Sequence, residues 1–174
     1  MIEIKAPAAY TIPSDGITIF LAGSIEMGDA ENWQERLKKD LSNFDVIILN
    51  PLRDDWDSTW KQSIHNKKFR EQVEWELKAL ERSDFICMYF DPDTKSPITL
   101  LELGLFIKEK REKMIVCCPP GYWRKGNVEV VCNWYGATLT SFYNNFVELI
   151  KIYIIEMIIE TERNYKCPEI PQKA

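Results

Sequence analysis

Glu102 is the residue whose surroundings most strongly suggest chemistry. It lies in Pro97-Ile98-Thr99-Leu100-Leu101-Glu102-Leu103-Gly104-Leu105-Phe106. As a helix this run is apolar nearly all round, so it is expected to be buried. An ionised carboxylate there is costly unless something pairs with it. Ser96-Pro97 reads as an N-cap followed by proline in the first turn. Glu102 then sits within two turns of the positive helix end, and the dipole is expected to keep it ionised. The structural alternative is a carboxylate that holds a neighbouring loop by hydrogen bonds. Glu76 borders the apolar face of a second helix, Lys67 to Arg82, where it is either a solvated acid or a second functional carboxylate. A pair of carboxylates is the recurring solution for breaking a bond at an anomeric carbon through a covalent intermediate.

Other chemistries lack their residues. His65 is the only histidine and no C-x-x-C pair occurs, so a metal site is not expected. G-x-G-x-x-G, G-x-x-x-x-G-K-[ST] and G-x-S-x-G are all missing. No cofactor is implied. The five cysteines, Cys87, Cys117, Cys118, Cys132 and Cys167, read as free thiols in a reducing cytosol.

The elements that must position these carboxylates follow from periodicity. Short apolar runs at Ile17–Ala22, Val46–Leu49, Phe85–Phe90 and Met114–Cys118 predict buried strands, and Val128–Cys132 a fifth. Helices are predicted over Ala30–Phe44, Lys67–Arg82, Pro97–Lys110 and Ser141–Arg163. The alternation implies an α/β three-layer sandwich, with a mostly parallel sheet of about five strands and helices on both faces. With 174 residues and a net charge of −5, one domain over residues 1–165 and a loose tail over 166–174 are expected. The acidic balance argues against a nucleic-acid polymer as partner. No apolar leader opens the chain, and Phe146–Ile159 is too interrupted by charge to span a membrane, so a cytoplasmic protein is expected. The apolar stripe of the last helix, including Phe146, Ile150, Ile154, Ile155 and Ile159, is wider than one sheet face needs. It predicts a subunit interface, with an intramolecular core as the alternative.

In such sheets ligands bind beyond the carboxyl ends of the strands. Gly23 and Ser24 follow the first predicted strand, Asn50 and Arg53 the second, Ser96 the third, and Trp123 to Asn127 the fourth. Each segment alone fits ordinary turn chemistry, but four at one edge favour a site. Asp55 and Asp57 are expected to be solvated or paired with Arg53. Trp56, Trp60 and Trp123 are either loop anchors or platforms for a nucleobase. Gly104 is read as a close-packing position.

Ile19-Phe20-Leu21-Ala22-Gly23-Ser24-Ile25, followed by Ser96 to Gly104, resembles the nucleoside 2-deoxyribosyltransferase family and its relatives, the 2'-deoxynucleoside 5'-monophosphate N-glycosidases. The resemblance spans about Thr18 to Asn127, and Glu102-Leu103-Gly104 is its most specific part. It implies a flavodoxin-like fold, a homodimer or larger homo-oligomer and a small nucleoside or nucleotide substrate. Glu102 takes the place of the nucleophile that attacks C1'. Glu76 takes the place of an assisting acid, usually Asp, 26 positions earlier. Ser96 stands where family members contact the 5' end of the sugar, as Ser in the monophosphate hydrolases. Asn127 stands where a residue reaches the neighbouring subunit's site. Two positions depart from the pattern. Phe20 replaces a tyrosine that helps hold the nucleophile, and Glu26 replaces a phosphate-binding arginine, a charge that Arg53, or Arg124 with Lys125, could supply instead. Both departures also fit a binding module that keeps the fold without the catalysis.

Overall fold

In a computed structural model of the chain, describing residues 1–13, 16–25 and 32–166, the predicted apolar runs become the middle of a six-stranded sheet. The strands are β1 (Ile2–Lys5), β2 (Ile17–Gly23), β3 (Val46–Asn50), β4 (Phe85–Tyr89), β5 (Met114–Cys117) and β6 (Thr138–Thr140). The helices are α1 (Trp33–Asp40), α2 (Lys67–Arg82), α3 (Pro97–Lys110), α4 (Lys125–Tyr135) and α5 (Tyr143–Lys166). Strand order is β1-β3-β2-β4-β5-β6, and every pair is parallel. The order reverses between β2 and β4, where chain leaves β2 toward β3 on one side and returns to β4 on the other. That is the topological switch point, the place where such sheets bind ligands.

Side chains alternate across the sheet as the pleat requires. Phe20, Leu49, Ile86, Met88 and Val116 pack with Trp75, Ala79, Leu103, Ile107 and Val128, so α2, α3 and α4 cover one face. Ile19, Leu21, Ile48, Phe85 and Ile115 pack with Trp33, Leu37, Phe146 and Ile150, so α1 and α5 cover the other. Glu76 and Glu102 therefore belong to helices on the same side of the sheet as Phe20.

Three expectations are corrected. Val128–Cys132 is not a strand but the middle of α4, which ends at Gly136 in the left-handed conformation (φ 77°). The edges are instead β1 and the three-residue β6, giving six strands rather than five. The α3 helix is buried on one side only: Ile98, Leu101 and Leu105 are more than half exposed, and Gly104 has no atom within 4 Å of an added Cβ. The α5 stripe divides between core and surface. Phe146, Ile150 and Ile154 are core, while Ile152, Ile155 and Ile159 face outward. Cys87, Cys117, Cys118 and Cys132 are free and buried, and Cys167 and the tail over 167–174 lie outside the described residues. Among the described residues no helix is long and apolar enough to cross a membrane.

A carboxylate fixes the register beside the switch point. Asp84 Oδ2 accepts from Thr18 N at 2.8 Å and from Thr18 Oγ1 at 2.6 Å, and Thr18 Oγ1 accepts from Asp84 N at 3.0 Å. Thr18 is fully buried, so losing Asp84 strands a buried N–H and hydroxyl. Asp84→Ala is expected to lower unfolding free energy by about 2 kcal/mol. Urea denaturation with an unchanged midpoint would refute the clamp.

Candidate functional site

The end of β2 is built for close approach. A Cβ at Gly23 would lie 2.6 Å from the Tyr89 carbonyl oxygen and 2.6 Å from a Trp33 ring carbon, so only glycine fits. Ser24 then donates its N–H to Tyr89 O at 3.1 Å and turns its side chain toward the β4 loop. There Ser24 Oγ accepts from Asp91 N at 2.9 Å and from Thr94 Oγ1 at 2.8 Å, and shares a short hydrogen bond with Ser96 Oγ. Thr94 and Ser96 hydroxyls are 2.6 Å apart. Three buried hydroxyls thus converge at the switch point.

Ser96 does not act as the expected cap. It occupies the N-cap position of α3 with φ 44°, in the left-handed region, and its hydroxyl makes no capping hydrogen bond. The chain bends there so that the side chain joins Ser24 and Thr94 instead. From the next loop, Tyr122 Oη and Trp123 Nε1 both donate to Lys95 O, at 2.8 and 3.0 Å, and fix the entry to α3 from outside. Trp123 is therefore an anchor by its N–H, with its ring half exposed and stacked against Arg124.

Beyond that entry α3 carries Glu102 into the interior. Glu102 is 8% exposed, and among the described residues no group hydrogen-bonds to or ion-pairs with its carboxylate. Burial, reinforced by the charge of Glu76, pushes its pKa up to about 8. The dipole of α3 does not keep it ionised, because desolvation is the larger effect. Glu76 faces inward from α2, flanked by buried Gln72, Trp75, Ala79 and Leu80. Burial raises its pKa as well, opposed by a hydrogen bond from Gln72 Nε2 to its Oε1 at 2.8 Å. Both acids thus resist ionisation, and Glu102 also senses the charge of Glu76.

The remaining predicted residues divide. Phe20 is fully buried against Trp75, with ring centroids 6.5 Å apart. Asn50 is buried and engaged on both ends, donating to Glu3 Oε1 at 2.8 Å and accepting from Leu52 N at 3.0 Å. Its contacts are those of a turn residue joined to the β1 edge. Arg53 is 8% exposed and binds Asp55 through Nε at 2.5 Å and Nη2 at 3.2 Å. Asp57 caps its own turn by accepting from Thr59 N at 2.9 Å. Trp56 and Trp60 pack against each other, with centroids 5.2 Å apart. Asn127 lies not in a loop but in the first turn of α4, exposed to solvent. Lys125 is occupied by Cys118 O, Ser141 Oγ and Glu129. Glu26 lies outside the described residues. Thr94 and Gln72 are additions to the sequence-based set. Thr94 hides in an ordinary Asp-Pro-Asp-Thr turn, whereas Gln72 betrays itself as a polar residue four positions before Glu76 on the inward face. Among the described residues no group of His, Cys, Asp and Glu could hold a metal ion. A cavity of about 330 Å³ between α1 and α5, lined by Arg36, Asp40 and Tyr143, lies on the opposite side of the sheet from Glu102.

The parallel α/β sheet thus carries hydroxyls at its switch point, with buried Glu102 and half-buried Glu76 on neighbouring helices of one face. Residues 16–122 match the family described as nucleoside 2-deoxyribosyltransferase like, and the chain belongs to that family. A conserved protein from Enterococcus faecalis V583 shares the fold, with a TM-score of 0.55 at 12% identity over 79% of this chain and 99% of that one. A comparison with curated proteins gives no relative.

The buried carboxyl has a consequence for stability. With a folded pKa of about 8 against an ordinary 4.5, the native state holds a proton that the unfolded chain has released between those values. Stability attributable to Glu102 is therefore intact below pH 4.5 and is lost as pH rises through about 8. Glu102→Gln abolishes this loss. Its unfolding free energy relative to wild type is expected to climb by up to about 1.4 kcal/mol per pH unit across that window. Parallel denaturation curves at acid and alkaline pH, showing the same difference at both, would refute the burial.

Proposed function

We propose that the chain cleaves or transfers the N-glycosidic bond of a (2'-deoxy)nucleoside or nucleotide through a glycosyl ester on Glu102. The observation that carries this reading is the pair of acids: buried Glu102, with no hydrogen-bond partner among the described residues, its pKa raised by burial and then by the charge of Glu76. In the resting protein Glu102 holds a proton. On substrate binding that proton passes to Glu76. A Glu102 oxygen then forms a bond to C1', the C1'–N bond breaks, and its electron pair goes to the base. Glu76 returns the proton to the departing base nitrogen. Water or a second base attacks C1' next and gives its proton to the now ionised Glu76, while the C1'–O bond to Glu102 breaks and its electron pair returns to the Glu102 carboxylate, which completes hydrolysis or exchange. The low-dielectric setting strengthens the interaction of the carboxylate with the oxocarbenium-like centre. Ser24 and Ser96 supply hydroxyls for the 5' end of the sugar.

Self-association belongs to the same reading. Ile98, Leu101 and Leu105 flank the helix turn that bears Glu102, and exposed Ile152, Ile155 and Ile159 offer a second apolar face on α5. A homo-oligomer covers such faces, and Asn127, exposed on α4, is then available to a neighbouring copy. A binding module is the second reading, favoured by Phe20, which brings no hydroxyl to Glu102.

Chromatography of 2'-deoxynucleosides and their 5'-monophosphates, with and without a free acceptor base, separates the two. Glu102→Ala is expected to lower base release by at least about 1,000-fold while leaving the far-ultraviolet circular dichroism unchanged. Wild-type kcat/KM is expected to fall as pH rises through about 8, because the pair then loses the proton the base must receive. Ligand binding without release of base, or full activity in Glu102→Ala, would establish the module instead.

A further inference from the structure

Two buried polar atoms beside Glu76 play no part in the scheme above. Gln72 Nε2 donates to Pro51 O at 2.8 Å as well as to Glu76. Because a carbonyl can only accept, Pro51 fixes the amide with its nitrogen toward the loop. Gln72 Oε1 is left buried without a hydrogen-bond partner. Two residues beyond Pro51, the Arg53 side chain is 5% exposed, and its Nη1 is likewise buried and unbonded. Glu71 Oε2 stands 3.6 Å from that nitrogen, beyond hydrogen-bond reach. A donor held by no more than that longer ion pair, and an acceptor without a hydrogen bond, therefore lie where the β3 loop meets the early turns of α2. Burying such atoms unpaired is costly, and a ligand that satisfies both removes the cost.

Charge selects the ligand. Arg53 is balanced by Asp55 and Glu71, and Lys68 stands over the same Trp60 ring as Arg53. Two cations and two carboxylates leave no surplus positive charge for a phosphate, and the bare Gln72 oxygen would repel one. A neutral group offering an acceptor beside an N–H suits both atoms. We propose that Arg53 and Gln72 read the lactam edge of the base, with Arg53 Nη1 donating to the exocyclic carbonyl and Gln72 Oε1 accepting from the adjacent ring N–H. Gln72 takes the ring position because it is bonded to Glu76, the acid that serves the base. Arg53, farther out on the loop, takes the exocyclic one. Amino bases present the opposite order, setting donor against donor and acceptor against acceptor. The assignment rests on the glycosyl-transfer reading for its claim that a nucleobase occupies this space.

The test uses free bases, so that it does not depend on turnover. Calorimetry of the wild-type protein is expected to show uracil or hypoxanthine binding at least tenfold more tightly than 3-methyluracil or 1-methylhypoxanthine, in which a methyl group replaces the N–H, and more tightly than cytosine or adenine. Gln72→Leu is expected to erase the difference between parent and methylated base. Equal binding of parent and methylated bases by wild type overturns the assignment even if the variant fails to fold, as does the binding of no base at all. Base release from 2'-deoxyuridine and 2'-deoxyinosine is followed in parallel. Turnover without base discrimination overturns this assignment alone, whereas discrimination without turnover supports it and overturns the catalytic reading alone.

Discussion

Everything at the candidate site depends on holding one carboxylate buried and a second half-buried near it on one side of a parallel sheet. Neither can be neutralised by a nearby cation, because among the described residues none is paired with Glu76 or Glu102. Burial raises the pKa of both instead, with Gln72 opposing the shift at Glu76. That arrangement needs α2 and α3 side by side, since one acid comes from each. Their adjacency follows from the reversal of strand order between β2 and β4 and from crossovers of one hand. The hydroxyl cluster of Ser24, Thr94 and Ser96 sits at the same reversal. Sheet topology thus brings an acidic pair and a polar floor together from segments more than seventy residues apart in the chain.

The supporting contacts are of a different kind from the site itself. Asp84 with Thr18, and Lys95 O with Tyr122 and Trp123, are fully satisfied and hold strands and loops in place. Gln72 Oε1 and Arg53 Nη1 are buried without a hydrogen bond, and Glu102 is buried with its pKa raised. Natural interiors rarely leave buried bonding capacity unused.

The helices that matter most were legible from pattern. Lys67–Arg82 and Pro97–Lys110 have the boundaries their apolar spacing predicts. The buried strands were legible for the same reason, as apolar runs between turn formers. Val128–Cys132 misled because a short β-branched run looks the same in a strand and on a helix. The strand at that edge, Thr138–Thr140, is too short and too polar to announce itself. Glu102 and Glu76 stood out as acids on apolar faces. The protonation of Glu102 did not, because it depends on how deeply α3 sinks and on the charge of a neighbour from another helix. Gln72 and Thr94 acquire their meaning only from contacts across the fold.

Ser96 carries a consequence for anyone who would make this protein sturdier. A serine at φ 44° pays for its bend with local strain that glycine or asparagine would relieve. Stability-guided redesign will therefore rank replacement of Ser96 among its first choices, and with it discard a hydroxyl from the polar floor. Robustness and recognition compete at this one residue, and a library selected only for heat resistance will drift away from whatever the site holds.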